Sequence, residues 1–293
     1  MRPYERFEKE WAKYIGTSYA VSCNSGTSAI HLALMALRIG PGDEVICPNF
    51  TMAAVPFAVA YTGARPVFVD CGEDLNINPA LVKEKINAKT KAIIAVHIYG
   101  RPCDMRGLAV FGLPVIEDCA EAHGATIGDR RVGSFGLLSC FSFYRNKILH
   151  AEEGGAVCTN DKGLAERIKY LKNMAFSADH SYRHEEIGYN YRITNATASV
   201  LLERLPKIDK EIARRRSVAD SLTFFWEIPR PKGSVVWVKD VIFDIKEERD
   251  AAKELYDDTR LFFKPMTTLP MWKDQDVRGL AHDYSERGMY FIL

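Results

Sequence analysis

From residue 19 to residue 117 the chain alternates short apolar runs with apolar helical stretches, separated by breaks such as Gly40-Pro41-Gly42-Asp43. Strands are expected at 19–22, 44–47, 66–69, 92–96 and 114–117, and helices at 28–37, 52–61 and 79–87. Neighbouring parallel strands need a crossover, which a helix supplies. The alternation therefore predicts an α/β fold, a mostly parallel sheet flanked by helices on both faces. Ligands in such sheets sit at the carboxyl ends of the strands. The 28–37 helix is apolar almost all round and should be buried. Tyr4, Phe7, Trp11 and Tyr14 follow a helical period, so an amphipathic helix packs on the main domain.

The 293 residues suffice for one large domain and a smaller one. After residue 160 we expect a helix through Ile168 and Leu171, then a polar loop at 176–186. A long helix follows, capped by Asn195 and bent at Pro206. Arg214-Arg215-Arg216 near its end reads as a solvated face favoured by the helix dipole. From about Phe224 the pattern changes to short strands (234–238, 241–244 and 261–263) and one helix (247–256). The expected division is 1–222 for the large domain and 223–293 for the small one.

Lys and Arg number 39 against 38 Asp and Glu, a net charge of +1 that gives no pull toward nucleic acid or an anionic membrane. The segment MRPYERFEKEW is charged and lacks the apolar core of a signal peptide, and no apolar run is long enough to span a membrane. The seven cysteines (23, 47, 71, 103, 119, 140 and 158) are scattered without a CxxC pair. They read as reduced, buried residues of a cytoplasmic protein. The seven histidines show no HExxH or other metal spacing, and no metal is expected.

The stretch 140–160, CFSFYRNKILHAEEGGAVCTN, carries the chemistry. A strand-like run ends at Ser142 and Phe143, Lys147 follows five residues after Ser142, and two carboxylates lead into a glycine pair and a second strand. A lysine beside glycines suits a Schiff-base enzyme, while a surface hairpin with a solvated lysine accounts for this stretch equally well. Other segments decide. Ser25-Gly26-Thr27 stands between a strand and a buried helix, where backbone N–H groups bind phosphate or the hydroxyls simply cap the helix. Asp118 follows the strand at 114–117 and should emerge at the ligand edge, where an acid keeps a pyridine nitrogen protonated. Phosphate cradle, acid, hydroxyl and lysine, in that order, fit an enzyme of pyridoxal 5'-phosphate (PLP).

The segments SGTSAIHLAL, GDEVICPNFTMAA, GARPVFVD, TKAIIAVHIYG, EDCAEAHGA, FSFYRNK, EEGGAVCTN and GYNYRIT resemble, in order, the DegT/DnrJ/EryC1/StrS sugar aminotransferases of PLP fold type I. FSFYRNK and EDCAEAHG are most similar to the perosamine-type branch. The resemblance implies that Lys147 holds PLP as a Schiff base and that Asp118 pairs with the pyridinium nitrogen. It implies that Gly26, Thr27 and Ser142 hold the phosphate. Asn190 of GYNYR reaches the cofactor of a second copy, making a homodimer with shared sites. Glu121 stands where many members carry glutamine near the phenolic oxygen, and must be protonated or bridged by water there. Met52 replaces an aromatic over the ring, and His150 replaces a small hydroxyl residue. Glu152 replaces the first glycine of GEGG and is strained if that glycine has positive φ. Relative to the family, the N-terminal segment and the small C-terminal α+β domain look shortened. The activity implied is transfer of an amino group from L-glutamate to a nucleotide-linked 4-keto-6-deoxy sugar. Arg183, His184 and Arg192 are the candidate cations for the nucleotide diphosphate. A cyclitol or 3-keto-sugar aminotransferase would share the cofactor residues, and a non-catalytic member with a binding role would share the fold. A sister sugar dehydratase would carry histidine in place of Lys147.

Overall fold

A computed structural model of the protein describes residues 1–177, 182–223 and 227–293. Part of the expected 176–186 loop, and Phe224, where the composition changes, lie outside the described residues.

The chain opens with helix α1 (Pro3–Ile15), strand β1 (Tyr19–Cys23) and helix α2 (Gly26–Ala36). It continues through β2 (Glu44–Pro48), α3 (Ala54–Tyr61), β3 (Arg65–Val69), the short α4 (Pro79–Val82) and β4 (Thr90–Val96). Next come α5 (Met105–Ala109), β5 (Val115–Asp118), a small hairpin of β6 (Thr126–Ile127) and β7 (Arg130–Arg131), then β8 (Leu138–Ser142) and β9 (Gly155–Thr159). Seven of these strands form one sheet in the order β1-β9-β8-β5-β4-β2-β3. The pairs from β8 to β3 are parallel, and β9 runs antiparallel to both neighbours. This is the mostly parallel α/β sheet read from the alternation. The 79–87 helix is shorter than expected: it ends at Val82, and a 3₁₀ turn over Lys83–Lys85 completes it.

The register places the site. Val96 of β4 lies opposite Asp118 of β5, and Asp118 lies opposite Cys140 of β8. The carboxyl ends of three adjacent strands thus release the segments beginning at His97, Cys119 and Phe143 at one edge. Behind it, α1 packs Phe7 and Trp11 against Phe141 and Phe143, with edge-on ring contacts of 5.0 Å (Trp11–Phe141) and 5.3 Å (Phe7–Phe143). All four rings are fully buried, each contributing about 1.5–3 kcal/mol by burial. Helix α2, apolar all round as expected, packs on β8 and β9.

Helices α6 (Lys162–Lys172), α7 (Asn195–Arg204) and α8 (Ile208–Ser221) follow, with a 3₁₀ turn at Leu205–Lys207 where Pro206 was expected to bend the helix. The cap of α7 is Thr194, whose Oγ1 accepts from Thr197 N–H at 3.1 Å; Asn195 is already helical. The arginine run is solvated at Arg214 and Arg216 but not at Arg215. Arg215 is buried and donates to Glu211 and to the Trp237 carbonyl, both at 2.8 Å, while Arg216 donates to the Ser234 carbonyl at 2.7 Å.

A second sheet, β10-β12-β11, combines β10 (Val238–Ile242), β11 (Thr259–Leu261) and β12 (Gly288–Ile292), all antiparallel, with α9 (Lys246–Leu255) and α10 (Leu280–Arg287). The strands expected at 234–238 and 241–244 are one strand, β10. Residues 234–237 instead form an extended lead-in: arginines bind the carbonyls of Ser234, Val235 and Trp237, and Val235 N–H donates to the Gly100 carbonyl at 3.1 Å. The strand expected at 261–263 ends at Leu261. All seven cysteines are free and buried, as expected. Among the described residues, no helix is long and apolar enough to cross a membrane.

Candidate active site

Lys147 lies in the tight turn after β8, its N–H bonded to the Tyr144 carbonyl at 2.8 Å, and its side chain points back over the sheet edge. Its Nζ lies 3.8 Å from Glu121 Oε1 and 3.9 Å from the centroid of the Trp237 indole. Burial lowers the Lys147 pKa, opposed by Glu121 and Asp118. Glu121 is buried, accepts the Tyr99 N–H at 2.9 Å, and is raised by burial to about 7. An ion pair at this distance gains about 4 kcal/mol at an effective dielectric near 20. Desolvating the two charges costs several kcal/mol each. Burial therefore works against both charges, lowering the amine and raising the acid.

Asp118 ends β5, buried, with Oδ1 accepting the Ala120 N–H at 3.0 Å. Burial raises its pKa, against the Ala120 N–H and the charges of Lys147 and His97. Among the described residues it receives no other hydrogen bond. A buried carboxylate so poorly satisfied fits a cationic N–H such as a protonated pyridine.

The anion cradle sits at the start of α2. Ser25 caps the helix by accepting Ser28 N–H at 3.1 Å, and the N–H groups of Gly26 and Thr27 have no acceptor among the described residues. Ser142 is pressed against Gly26: a Cβ there would stand 2.7 Å from Ser142 Cβ. Only glycine lets the β8 hydroxyl stand beside the helix N-terminus, an arrangement that suits a phosphate. Asp118, Glu121, Ser142 and Lys147 are therefore gathered at one edge, and their donor set fits PLP.

The remaining expected residues have contacts of their own. Met52 is 53% exposed, its thioether accepting the Ala54 N–H at 3.1 Å. Asn190 is exposed and bridges Asn173. Arg183 pairs with Glu185 at 3.4 Å, His184 with the Met174 carbonyl at 2.8 Å, and Arg192 with Asn173 at 3.2 Å. None of these three shares a hydrogen bond, ion pair or cavity with Lys147 among the described residues. A cavity of about 570 Å³ bounded by Arg2, Lys169, Asn173 and Arg192 also contains no residue of the Lys147 cluster, so side-chain geometry, not cavity size, locates the chemistry. His150 braces the lysine turn, donating Nδ1–H to the Lys147 carbonyl at 3.0 Å. Glu152 is not strained: the positive φ falls on Gly154, at 146°.

Trp237 and Tyr99 were not anticipated. Tyr99 follows β4 at the expected ligand edge, a signal that was present; Trp237 comes from a lead-in read as ordinary strand. Below the edge, His97, Glu117 and Cys119 lie within 4.8 Å of one another. The His97 Nδ1 accepts the Cys103 N–H, so its Nε2–H donates to Glu117 at 3.0 Å. Glu117 also accepts N–H groups of Gly133, Phe135 and Gly136. Their lone pairs are already used, and the cluster braces β5 rather than presenting ligands.

Residues 2–289 match the DegT/DnrJ/EryC1/StrS aminotransferase family. The chain belongs to this family. It is 38% identical, over a 302-residue alignment, to the GDP-perosamine synthase of Escherichia coli O157:H7, covering 97% of this chain and 83% of that protein. It is 44% identical over 221 residues to the dTDP-3-amino-3,4,6-trideoxy-alpha-D-glucose transaminase of Streptomyces venezuelae, covering 73% of this chain and 58% of that one. The structure of S. venezuelae DesV superposes with a TM-score of 0.91 at 35% identity, covering 100% of this chain and 84% of that one. As a DegT/DnrJ/EryC1/StrS protein with this fold, the chain is a PLP-dependent aminotransferase.

Proposed function

We propose that this aminotransferase moves an amino group from L-glutamate to a nucleotide-linked 4-keto-6-deoxy sugar. The observation that carries the reading is the Lys147 amine held at the sheet edge against Glu121, in a chain alike over almost its whole length to a GDP-perosamine synthase.

Gly26, Thr27 and Ser142 would hold the cofactor phosphate, Asp118 the ring nitrogen, Met52 a ring face, Glu121 the side of the phenolic oxygen, and Lys147 the carbonyl carbon. When bound, PLP supplies the electron sink that makes the carbon bearing the amine acidic. Lys147 is the group that moves the proton, because burial makes its neutral amine accessible nearer neutral pH. Glu121 holds a proton facing that amine. Asp118 keeps its negative charge for the ring nitrogen. Asn190 serves the site of a second copy, which suits its exposed position away from its own Lys147. We further take 1–222 and 223–293 as the two domains, and the reducing cytoplasm as the compartment that keeps seven buried cysteines free.

The test offers the protein, PLP and glutamate 4-keto-6-deoxy sugars on several nucleotides. Release of 2-oxoglutarate with one of them is expected. The likeness to a 3-amino-sugar transaminase favours a 3-keto sugar as the second reading. Turnover only with a 3-keto sugar or a cyclitol ketone would overturn the first, and no turnover with any ketone would return the non-catalytic reading.

A further inference from the structure

The segment after β4 and the lead-in to β10 are tied together by three charged side chains. Asp240, inside β10, is buried and accepts from two guanidinium groups, Arg101 Nη2 at 2.5 Å and Arg230 Nη2. Arg101 is fully buried and also donates to the carbonyls of Ile228 at 2.8 Å and Pro229 at 3.3 Å. Arg230 donates to three further carbonyls: Tyr99 at 2.7 Å, Val235 at 3.1 Å and Val238 at 2.8 Å.

Those three carbonyls belong to the residues that set the surroundings of Lys147. Tyr99 is the residue whose N–H binds Glu121, and its backbone is left-handed (φ 51°, ψ 30°), a conformation that non-glycine residues keep only when held there. Val235 and Val238 flank Trp237, whose ring face covers Lys147 Nζ and whose Nε1–H donates to the Asn146 carbonyl at 2.8 Å. One guanidinium therefore fixes both the donor to Glu121 and the ring over the lysine.

We infer that Arg230, clamped by Asp240, is a positioning residue for Lys147, holding Tyr99 against Glu121 and Trp237 against the lysine amine. The inference deepens the reading of Lys147 as the active amine. The groups facing Lys147 are Asp118 and Glu121 from the end of β5 and Arg215 from α8, with His123 and His150 beside its turn; Tyr99 and Tyr290 face Glu121. Removing Arg230 uncovers the lysine: water reaching the amine relieves the burial that lowers its pKa, while two attractions that support its charge are lost. Once Trp237 is free to leave, the ammonium form loses a cation–π attraction. Once Tyr99 relaxes, the Glu121 anion loses a hydrogen bond, keeps its proton and no longer supports the lysine charge.

The experiment uses the full-length chain freed of cofactor. It is pulsed with an amine acylating reagent across a pH series, and the Lys147 peptide is quantified by mass spectrometry. Arg230→Met, which leaves the Arg101–Asp240 pair intact, is expected to move the pH midpoint of Lys147 labelling by about one unit. Arg249→Met, removing an arginine on α9 that is more deeply buried than Arg230, is expected to leave it unchanged. Arg230→Lys, which keeps a cation beside Asp240 but cannot reach three carbonyls at once, is expected to shift it less, in the same direction. A midpoint for Arg230→Met equal to that for Arg249→Met would overturn the inference. Should Arg230→Met fail to fold, Arg230→Lys decides, an unshifted midpoint overturning it. The midpoint is readable whether or not Lys147 proves to take up PLP, so the two readings fail separately.

Discussion

Replacing Glu121 by glutamine tests the electrostatics of the site without touching its shape. In the folded chain, burial lifts the Glu121 carboxyl from 4.5 to about 7. Its stabilising contribution is therefore fully present below pH 4.5 and is lost as the pH rises through 7. At 1.36 kcal/mol per unit, the group costs the native state about 1 kcal/mol at pH 5 and about 3 kcal/mol at pH 8, relative to its protonated form. Glutamine keeps an oxygen for the Tyr99 N–H and does not titrate. Lys147 adds to the same trend. Its lowered pKa makes its ammonium form a burden at low pH, more so without Glu121 opposite, and that burden lifts as the pH rises. Glu121→Gln should therefore gain about 2 kcal/mol on the unaltered protein between pH 5 and pH 8. Urea unfolding of both cofactor-free proteins at the two pH values, at constant ionic strength, reads the difference. A gap that does not change with pH would show that Glu121 ionises as an ordinary surface carboxyl and would refute its raised pKa.

Borohydride reduction of the PLP-loaded protein should leave a pyridoxyl group on the Lys147 peptide and none in Lys147→Ala; label on another lysine sinks the assignment. Gly26→Ala should weaken PLP binding at least about tenfold, since its Cβ meets Ser142 and displaces the hydroxyl, as a fluorescence titration would show. Asn190→Ala should lose PLP more readily at unchanged thermal stability, whereas a fully active monomer would refute a shared site. Glu117→Gln should lower the unfolding free energy by about 3 kcal/mol, because an amide cannot accept from His97 and three backbone N–H groups at once. An unchanged urea midpoint would deny the brace.

The sheet was legible because each of its strands is a short apolar run between breakers, and buried parallel strands are apolar on both faces. Asp118, Ser142 and Lys147 were legible because they stand at or just beyond strand ends, where the topology must deliver side chains to one edge. Trp237 was not, since its role depends on a distant arginine binding the carbonyls on either side of it, which no local pattern encodes. Arg215 misled for the same reason: an arginine in a run on a helix looks solvated until its bond to the Trp237 carbonyl is known. Arg183, His184 and Arg192 were chosen for charge alone, and charge without topology does not give a location.

The two carboxylates at this edge show how one strand end serves two tasks. Asp118 and Glu121 are three residues apart, both buried, and both are pushed up by desolvation. What separates them is the company each keeps. Glu121 faces an amine 3.8 Å away that can take or return a proton, so its ionisation is tied to Lys147. Asp118 has a single backbone N–H and, among the described residues, no amine within ion-pair distance, so its carboxylate is left open to an incoming cation. Carboxyls whose surroundings differ in this way divide into a proton holder and a fixed counter-charge. The division follows from the turn after β5: it carries Glu121 on toward Tyr99 and Lys147 and leaves Asp118 at the end of the strand. Swapping the two lengths, Asp118→Glu with Glu121→Asp, keeps the total charge but breaks both distances, and the division should fail with it.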